Sequence, residues 1–273
     1  MSTESAVIQA PPLPSWVDSH CHFDFAQFDQ DRETHWQYLQ SMGCAGLIIP
    51  GVTAATWPKL IQICANKPWS YALGLHPYFL DQHQPDHIEQ LQQMCHTHTP
   101  VAIGEFGLDF ALPPSTFLAQ RNLCEQQFKL AKQHQLPVIL HARKAYDEIA
   151  AMIRRTHFQQ GGIVHAFSGS VQQGHALIKL GFKLGIGGAI SHKRAIKLRT
   201  TVMQLPLESL VLETDAPDMT PAFLATKRNS PISILLIAHI VASLHKRSLN
   251  DVIACSNHSI NQVLSASVRY QLL

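Results

Sequence analysis

Trp16-Val17-Asp18-Ser19-His20-Cys21-His22-Phe23-Asp24 opens on an apolar run and closes on two histidines two residues apart. Residues i and i+2 of a strand project from the same face, so the spacing predicts that His20 and His22 aim both imidazoles at one point. Neutral imidazole is the commonest protein ligand for zinc and related ions. Taken alone, such a pair is more often a hydrogen-bonded surface couple. A metal site requires further ligands at the ends of later strands.

Apolar, Gly-punctuated runs of strand character follow at 44–50, 71–77, 101–105, 136–141, 161–165, 182–188 and 210–215. Helical spacing fills the intervals, at 31–42, 56–66, 85–98, 115–134, 145–158, 171–180 and 192–203. Two further helices, 231–245 and 250–264, close the chain. Repeated βα units predict a parallel sheet, and eight of them a closed (β/α)8 TIM barrel with additional C-terminal helices. An open doubly wound sheet would carry a Gly-rich phosphate fingerprint after its first strand; this chain has the histidine pair there. No linker or charge run divides the chain, so one domain is expected over 14–273, behind a loose tail at 1–13.

The 273 residues are 46% hydrophobic and 15% charged, enough for a large core and against wholesale disorder. A net charge of +2 argues against wrapping long nucleic acid but not against a small phosphate-reading pocket. Six scattered cysteines with no Cys-x-x-Cys pair read as reduced thiols of a cytoplasmic protein. The N-terminus lacks the pattern of a signal peptide, and no run of about 18 apolar residues suggests a membrane span.

In a barrel of this kind the chemistry sits at the C-terminal ends of the strands. The last polar residues of the runs are His20 and His22, His76, Glu105, His141, His165 and Asp215. Carboxylates beside an apolar core are costly unless paired or bound to metal. Leaving His76 aside, the six ligands are too many for one catalytic zinc, which usually takes three, so two divalent ions are expected. Asp215 from the last strand can join His20 and His22, His141 and His165 can hold the second ion, and Glu105 can bridge the two. Mixed histidine and carboxylate ligands admit zinc, manganese or magnesium.

Six pieces carry a family resemblance: Asp18 to Asp24, Leu73-Gly74-Leu75-His76-Pro77, Gly104-Glu105-Phe106-Gly107-Leu108-Asp109, Pro137 to Arg143, His165-Ala166-Phe167-Ser168-Gly169-Ser170, and Leu212-Glu213-Thr214-Asp215-Ala216-Pro217-Asp218. In order and spacing the chain resembles the TatD-type metal-dependent hydrolases of the amidohydrolase superfamily, also called TatD-related deoxyribonucleases. The resemblance implies a dinuclear TIM barrel that hydrolyses phosphodiester bonds of DNA, with the six ligands above. Phe106 stands where the family usually has Ile, Ala166 where it has Cys, and Ser230 where a charged or polar residue precedes Pro231.

The expected reaction is attack of a metal-activated hydroxide on phosphorus, with Asp215 and Glu105 as catalytic carboxylates. Arg143, Arg228 with Asn229, and His76 are the expected substrate groups; the guanidinium fork suits a phosphate. Asp109 and Asp24 are candidates for orienting the ligand histidines. Phe23, Phe25 and Phe28 fit packing better than base stacking, and Gly185, Gly187 and Gly188 fit a close approach of a ligand or neighbouring backbone. The expected partner is DNA, RNA or a small phosphodiester, met by a monomer away from membranes. The competing readings are a dinuclear amidase or esterase, such as an aminoacyl-tRNA deacylase, and a protein that holds metal without catalysis.

Overall fold

Parallel strands joined by helices must bury both faces, and the eight apolar runs do so by closing on themselves. A computed structural model describes residues 14–225 and 228–264; the tail read over 1–13 lies outside the described residues. The strands are β1 (Trp16–Asp18), β2 (Cys44–Pro50), β3 (Trp69–Leu73), β4 (Ala102–Asp109), β5 (Val138–Arg143), β6 (Gly162–Val164), β7 (Phe182–Ile186) and β8 (Leu210–Leu212). They lie in sequence order in one sheet, each pairing parallel with the next. Between them run α1 (Arg32–Ser41), α2 (Trp57–Cys64), α3 (His87–Thr97), α4 (Phe117–Gln133), α5 (Tyr146–Arg155), α6 (Val171–Lys179) and α7 (Ile196–Gln204). The chain ends its described part with α8 (Ile234–His245) and α9 (Leu249–Leu264).

Alternation along the strands sorts the core into two layers. Val17, Ile48, Ala72, Ile139, Ile163 and Val211 form one buried cluster, against which α9 packs Ile260 and Leu264. Their sequence neighbours, such as Leu47, Ile49 and Leu73, join the larger cluster shared with the helices. Each fully buried aliphatic side chain contributes about 1.5–3 kcal/mol.

The barrel closes between β8 and β1 by backbone bonds just past the strands. Ser19 N–H donates to Leu212 O (3.1 Å), Asp215 N–H to His20 O (2.9 Å) and His22 N–H to Ala216 O (2.7 Å). Lower on the same seam α9 supplies the missing acceptors: Asn257 Oδ1 takes Val17 N–H (3.2 Å) and Ser256 Oγ takes Leu212 N–H (2.8 Å). Asn257 also donates to Ser15 O and Ser259 to Glu208 O, which fixes α9 at the end of the barrel where the strands begin.

Several boundaries differ from those expected. β1 stops at Asp18 and β8 at Leu212, so His20, His22 and Asp215 lie on the turns that follow, not in strands. β4 runs four residues further than expected and carries both Glu105 and Asp109. Its pairing with β5 shifts between Ile103 and Phe106, an irregularity that re-aims Glu105. α7 begins four residues late, at Ile196, because residues 192–195 form a turn after the 3-10 turn at Gly188–Ser191. Among the described residues no single helix is long and apolar enough to cross a membrane.

Candidate metal centre

Glu105 stands at the middle of the barrel mouth, 2% exposed, and its two oxygens face different partners. Oε2 lies 3.2 Å from His20 Nε2 and 3.5 Å from His22 Nε2. Oε1 lies 2.8 Å from His165 Nε2, 3.1 Å from His76 Nε2 and 3.3 Å from His141 Nδ1. Asp215 Oδ1 completes the first side, 3.5 Å from the Nε2 atoms of both His20 and His22. His141 Nδ1 and His165 Nε2 approach within 3.2 Å on the second. All six residues expected as ligands are thus brought together, with His76 beside them.

The convergence of His20 and His22 owes nothing to a pleat. Their rings stand at 88° to each other, and the turn that holds them is tied down by Asp18. Its Oδ1 accepts His20 N–H and Thr214 N–H, both at 3.1 Å, while Oδ2 accepts the Thr214 hydroxyl. One buried carboxylate therefore locks the His20 turn to the Asp215 turn. Asp215 itself sits in the left-handed region at φ 56°, which carries its carboxyl off the line of β8.

Outer contacts orient the ligands. Asp109 Oδ2 lies 3.1 Å from His141 Nε2, so Nδ1 of that ring is the one turned toward Glu105. Glu213, fully buried, accepts Ala166 N–H and lies 3.7 Å from His165 Nδ1. A Cβ on Gly185 would stand 2.0 Å from Glu213 Oε2, so only glycine leaves room for that carboxylate. His76 accepts Tyr78 N–H at Nδ1 (3.0 Å), which puts its proton on Nε2 and makes it a donor to Glu105.

The electrostatics follow from burial and crowding. Burial and the neighbouring His165 push His20 down to about 3, despite Glu105. Burial lowers His76 to about 4 against the pull of Glu105. At His22 burial opposes the charge, but Glu105 and Asp215 win and hold it up at about 9. Burial works against the Glu105 carboxylate too, yet the surrounding histidines keep it well below its usual range. Burial raises Asp215 to about 6, only partly offset by His165 and His22.

This donor set fits a divalent cation. His20 Nε2 and Nδ1 and His22 Nδ1 are buried without hydrogen-bond partners among the described residues, a costly arrangement for polar nitrogens. Three triads of ligand atoms each lie within 4.8 Å of one another: His20, His22 and Asp215; His20, Glu105 and His165; His76, Glu105 and His141. A pocket of about 580 Å³ opens onto them, walled in part by Phe25, Tyr78 and Phe79. Phe25 stacks on His22 at 4.5 Å, whereas Phe23 and Phe28 are wholly core.

The expected substrate groups separate. Arg143 lines the pocket, its side chain 65% exposed and 3.9 Å from Asp109. Arg228 is not brought to it. Its guanidinium pairs with Asp31 (2.6 and 2.9 Å), donates to Gln27 O and covers the Phe28 ring. Asn229 is buried and bonds Thr214 O and Asp218 O, bracing the Asp215 turn from behind. Asp24 is buried with Oδ1 lacking a hydrogen-bond partner among the described residues, and burial raises its carboxyl above the usual range, only partly offset by His22. Asp18 and Glu213 went unassigned in the sequence, although an acid inside or next to an apolar run (Trp16-Val17, Leu210-Val211-Leu212) was a usable signal.

A family profile described as TatD related DNase matches residues 17–265. The chain is 38% identical over 240 residues to the uncharacterized metal-dependent hydrolase YjjV of Escherichia coli K12, covering 87% of this chain and 93% of that protein. The crystal structure of that TatD homologue superposes with a TM-score of 0.88 at 36% identity, over 92% of this chain and 98% of that one. A Pantoea protein named 3'-5' ssDNA/RNA exonuclease TatD is 30% identical over 246 residues, 87% of this chain and 94% of its own.

Proposed function

Because the chain belongs to the TatD family of metal-dependent hydrolases, we propose that it cleaves phosphodiester bonds of single-stranded DNA, acting at strand ends, with two divalent ions at the barrel mouth. The observation that carries this reading is the division of Glu105: one oxygen faces His20 and His22 beside Asp215, the other faces His141 and His165. A carboxylate set between two groups of histidines would suit a site for two divalent ions. The exonuclease names of the Pantoea and Pectobacterium parmentieri relatives point to the same substrate class.

His20, His22 and Asp215 would hold one ion and His141 and His165 the other. The ions would supply Lewis-acid polarisation of the phosphoryl group and a lowered pKa for water. Asp215, held near neutrality by burial, takes the proton of the attacking water. His76, donating from Nε2, fixes Glu105 Oε1. Arg143, exposed at the pocket edge, offers its fork to a phosphate oxygen. Asp109 and Glu213 keep His141 and His165 in place.

Asp215→Asn should cut release of nucleotides from single-stranded DNA by about 10²–10⁴-fold, with circular dichroism unchanged and metal content verified by elemental analysis. Glu105→Gln should abolish it, and so should a chelator. Arg143→Gln should raise KM for DNA while sparing kcat. Full activity in a metal-replete Asp215→Asn protein would refute the assignment. Indifference to Arg143→Gln, together with cleavage of an ester or amide panel, would move the reaction to the amidohydrolase alternative.

A further inference from the structure

A second cavity, of about 980 Å³, adjoins the metal pocket, and the two share Arg143 and Ser168 in their walls. It runs outward over the starts of α5 and α6 to α7. Its floor is tied together by Tyr146, whose hydroxyl accepts Ser168 N–H (2.9 Å) and bonds Ser168 Oγ (3.1 Å). One flank carries Lys144, set in a left-handed turn at φ 54° between β5 and α5. The other carries Lys197 from the first turn of α7, beside Ile196, a large apolar side chain 66% exposed. Phe110 adds an aromatic wall.

The charges in this groove are arranged asymmetrically. Of its carboxylates, Asp147 accepts Gln173 Nε2 (2.9 Å) and Glu148 accepts Arg121 Nε (3.1 Å). Among the described residues neither Lys144 nor Lys197 forms an ion pair, and both are exposed. A concave surface with cations on both flanks, apolar side chains on its walls and an open end in the metal pocket has the chemistry of a single-strand track. Phosphates meet lysine or arginine, and bases lie on apolar or aromatic surface.

We propose that this groove holds the nucleotides of a single strand beyond the scissile phosphate, with Lys144 and Lys197 reading backbone phosphates. It makes the enzyme selective for oligonucleotides over dinucleotides. The groove deepens the nuclease reading and rests on it. Arg143 stands at the junction, where the strand passes from one cavity to the other.

Binding and cleavage test the two ideas separately. The full chain in excess chelator, which stops hydrolysis, is titrated with 5'-labelled oligothymidylates of two and ten residues, followed by fluorescence anisotropy. The longer strand should bind at least tenfold tighter than the shorter. In a Lys144→Gln/Lys197→Gln protein that advantage should shrink to about twofold. The slope of log affinity against log salt should fall by about 0.7 per lost phosphate contact, about 1.4 for the pair. Metal-loaded wild type and variant should cleave the dinucleotide at equal rates. Equal binding of both lengths, or of the long strand by both proteins, overturns the groove. Length-dependent binding that the variant loses, with no cleavage of any strand in the metal-loaded wild type, upholds the groove as a binding track and overturns the nuclease reading alone.

Discussion

His20 and His22 are two residues apart and titrate in opposite directions. Burial dominates at His20, which is deprotonated at about 3 and ready as a ligand. His22 is held at about 9, because Glu105 and Asp215 outweigh burial. In the metal-free protein at neutral pH it is therefore an imidazolium, doing for the two carboxylates what a cation would do. A metal must displace that proton, since only neutral imidazole ligates. Below about pH 9 His22 is protonated, so each unit of further acidification costs about 1.4 kcal/mol of apparent affinity. Chelator-competition titrations at pH 8.5, 7.5 and 6.5 should show the dissociation constant for zinc or manganese rising at least tenfold per unit, and more steeply where His141 and His165, held up against burial by the neighbouring carboxylates, must also lose a proton, with proton release detectable in weakly buffered solution. An affinity flat over that range would show that no ligand imidazole carries a proton there and would overturn the imidazolium assigned to His22.

At the scale of elements, the seam between β8 and β1 is where the barrel has fewest ladder bonds, and α9 stands in for them. Asn257 accepts from Val17 and donates to Ser15 O, both across about 240 residues of chain. Asn257→Ala leaves the buried Val17 N–H without its acceptor, which costs about 1–3 kcal/mol, or several degrees of melting temperature in a chain this long. Calorimetry of the variant checks this; an unchanged midpoint would mean that water or a shifted α9 replaces the amide. The eight strands and their helices were legible because apolar runs and helical spacing alternate so regularly, and the cluster at the barrel mouth because His and Asp or Glu end those runs. What could not be read was register. Gly185 was recognisable as a point of close approach, but pairing it with Glu213 needs the alignment of β7 on β8, where Ile186 meets Leu212. Arg228 and Asn229 looked like substrate groups because a rim position does not reveal which way a side chain turns. The structure spends them on Asp31 and on the Asp215 turn. The strand ends were overextended for a related reason: the turns after β1 and β8 keep the apolar-polar pattern while leaving the ladder.

Over the whole molecule, the proposed metal centre would also be a clasp. Its candidate ligands come from the turn after β1, from β4 and β5, from the residue after β6 and from the turn after β8, positions 20 to 215 of the chain. These segments meet as a crowd of buried histidines around Glu105 and Asp215, several of their nitrogens lacking hydrogen-bond partners among the described residues. A ligand that binds only the folded state stabilises it by mass action, about 2.7 kcal/mol at a hundredfold excess over its dissociation constant. Because the clasp joins strands from around the ring, that energy acts on the whole cooperative unit and not on one loop. For a domain of this size each kcal/mol is worth about 2–4 °C, so saturating zinc or manganese should raise the melting temperature of chelator-treated protein by roughly 5–10 °C in a single transition. Glu105→Gln, which removes the charge both halves of the site share, should lose most of the shift, whereas Arg228→Gln, whose partner is Asp31, should keep it. A metal-induced rise of equal size in the Glu105→Gln protein would place the cation elsewhere and break the link between this cluster and metal.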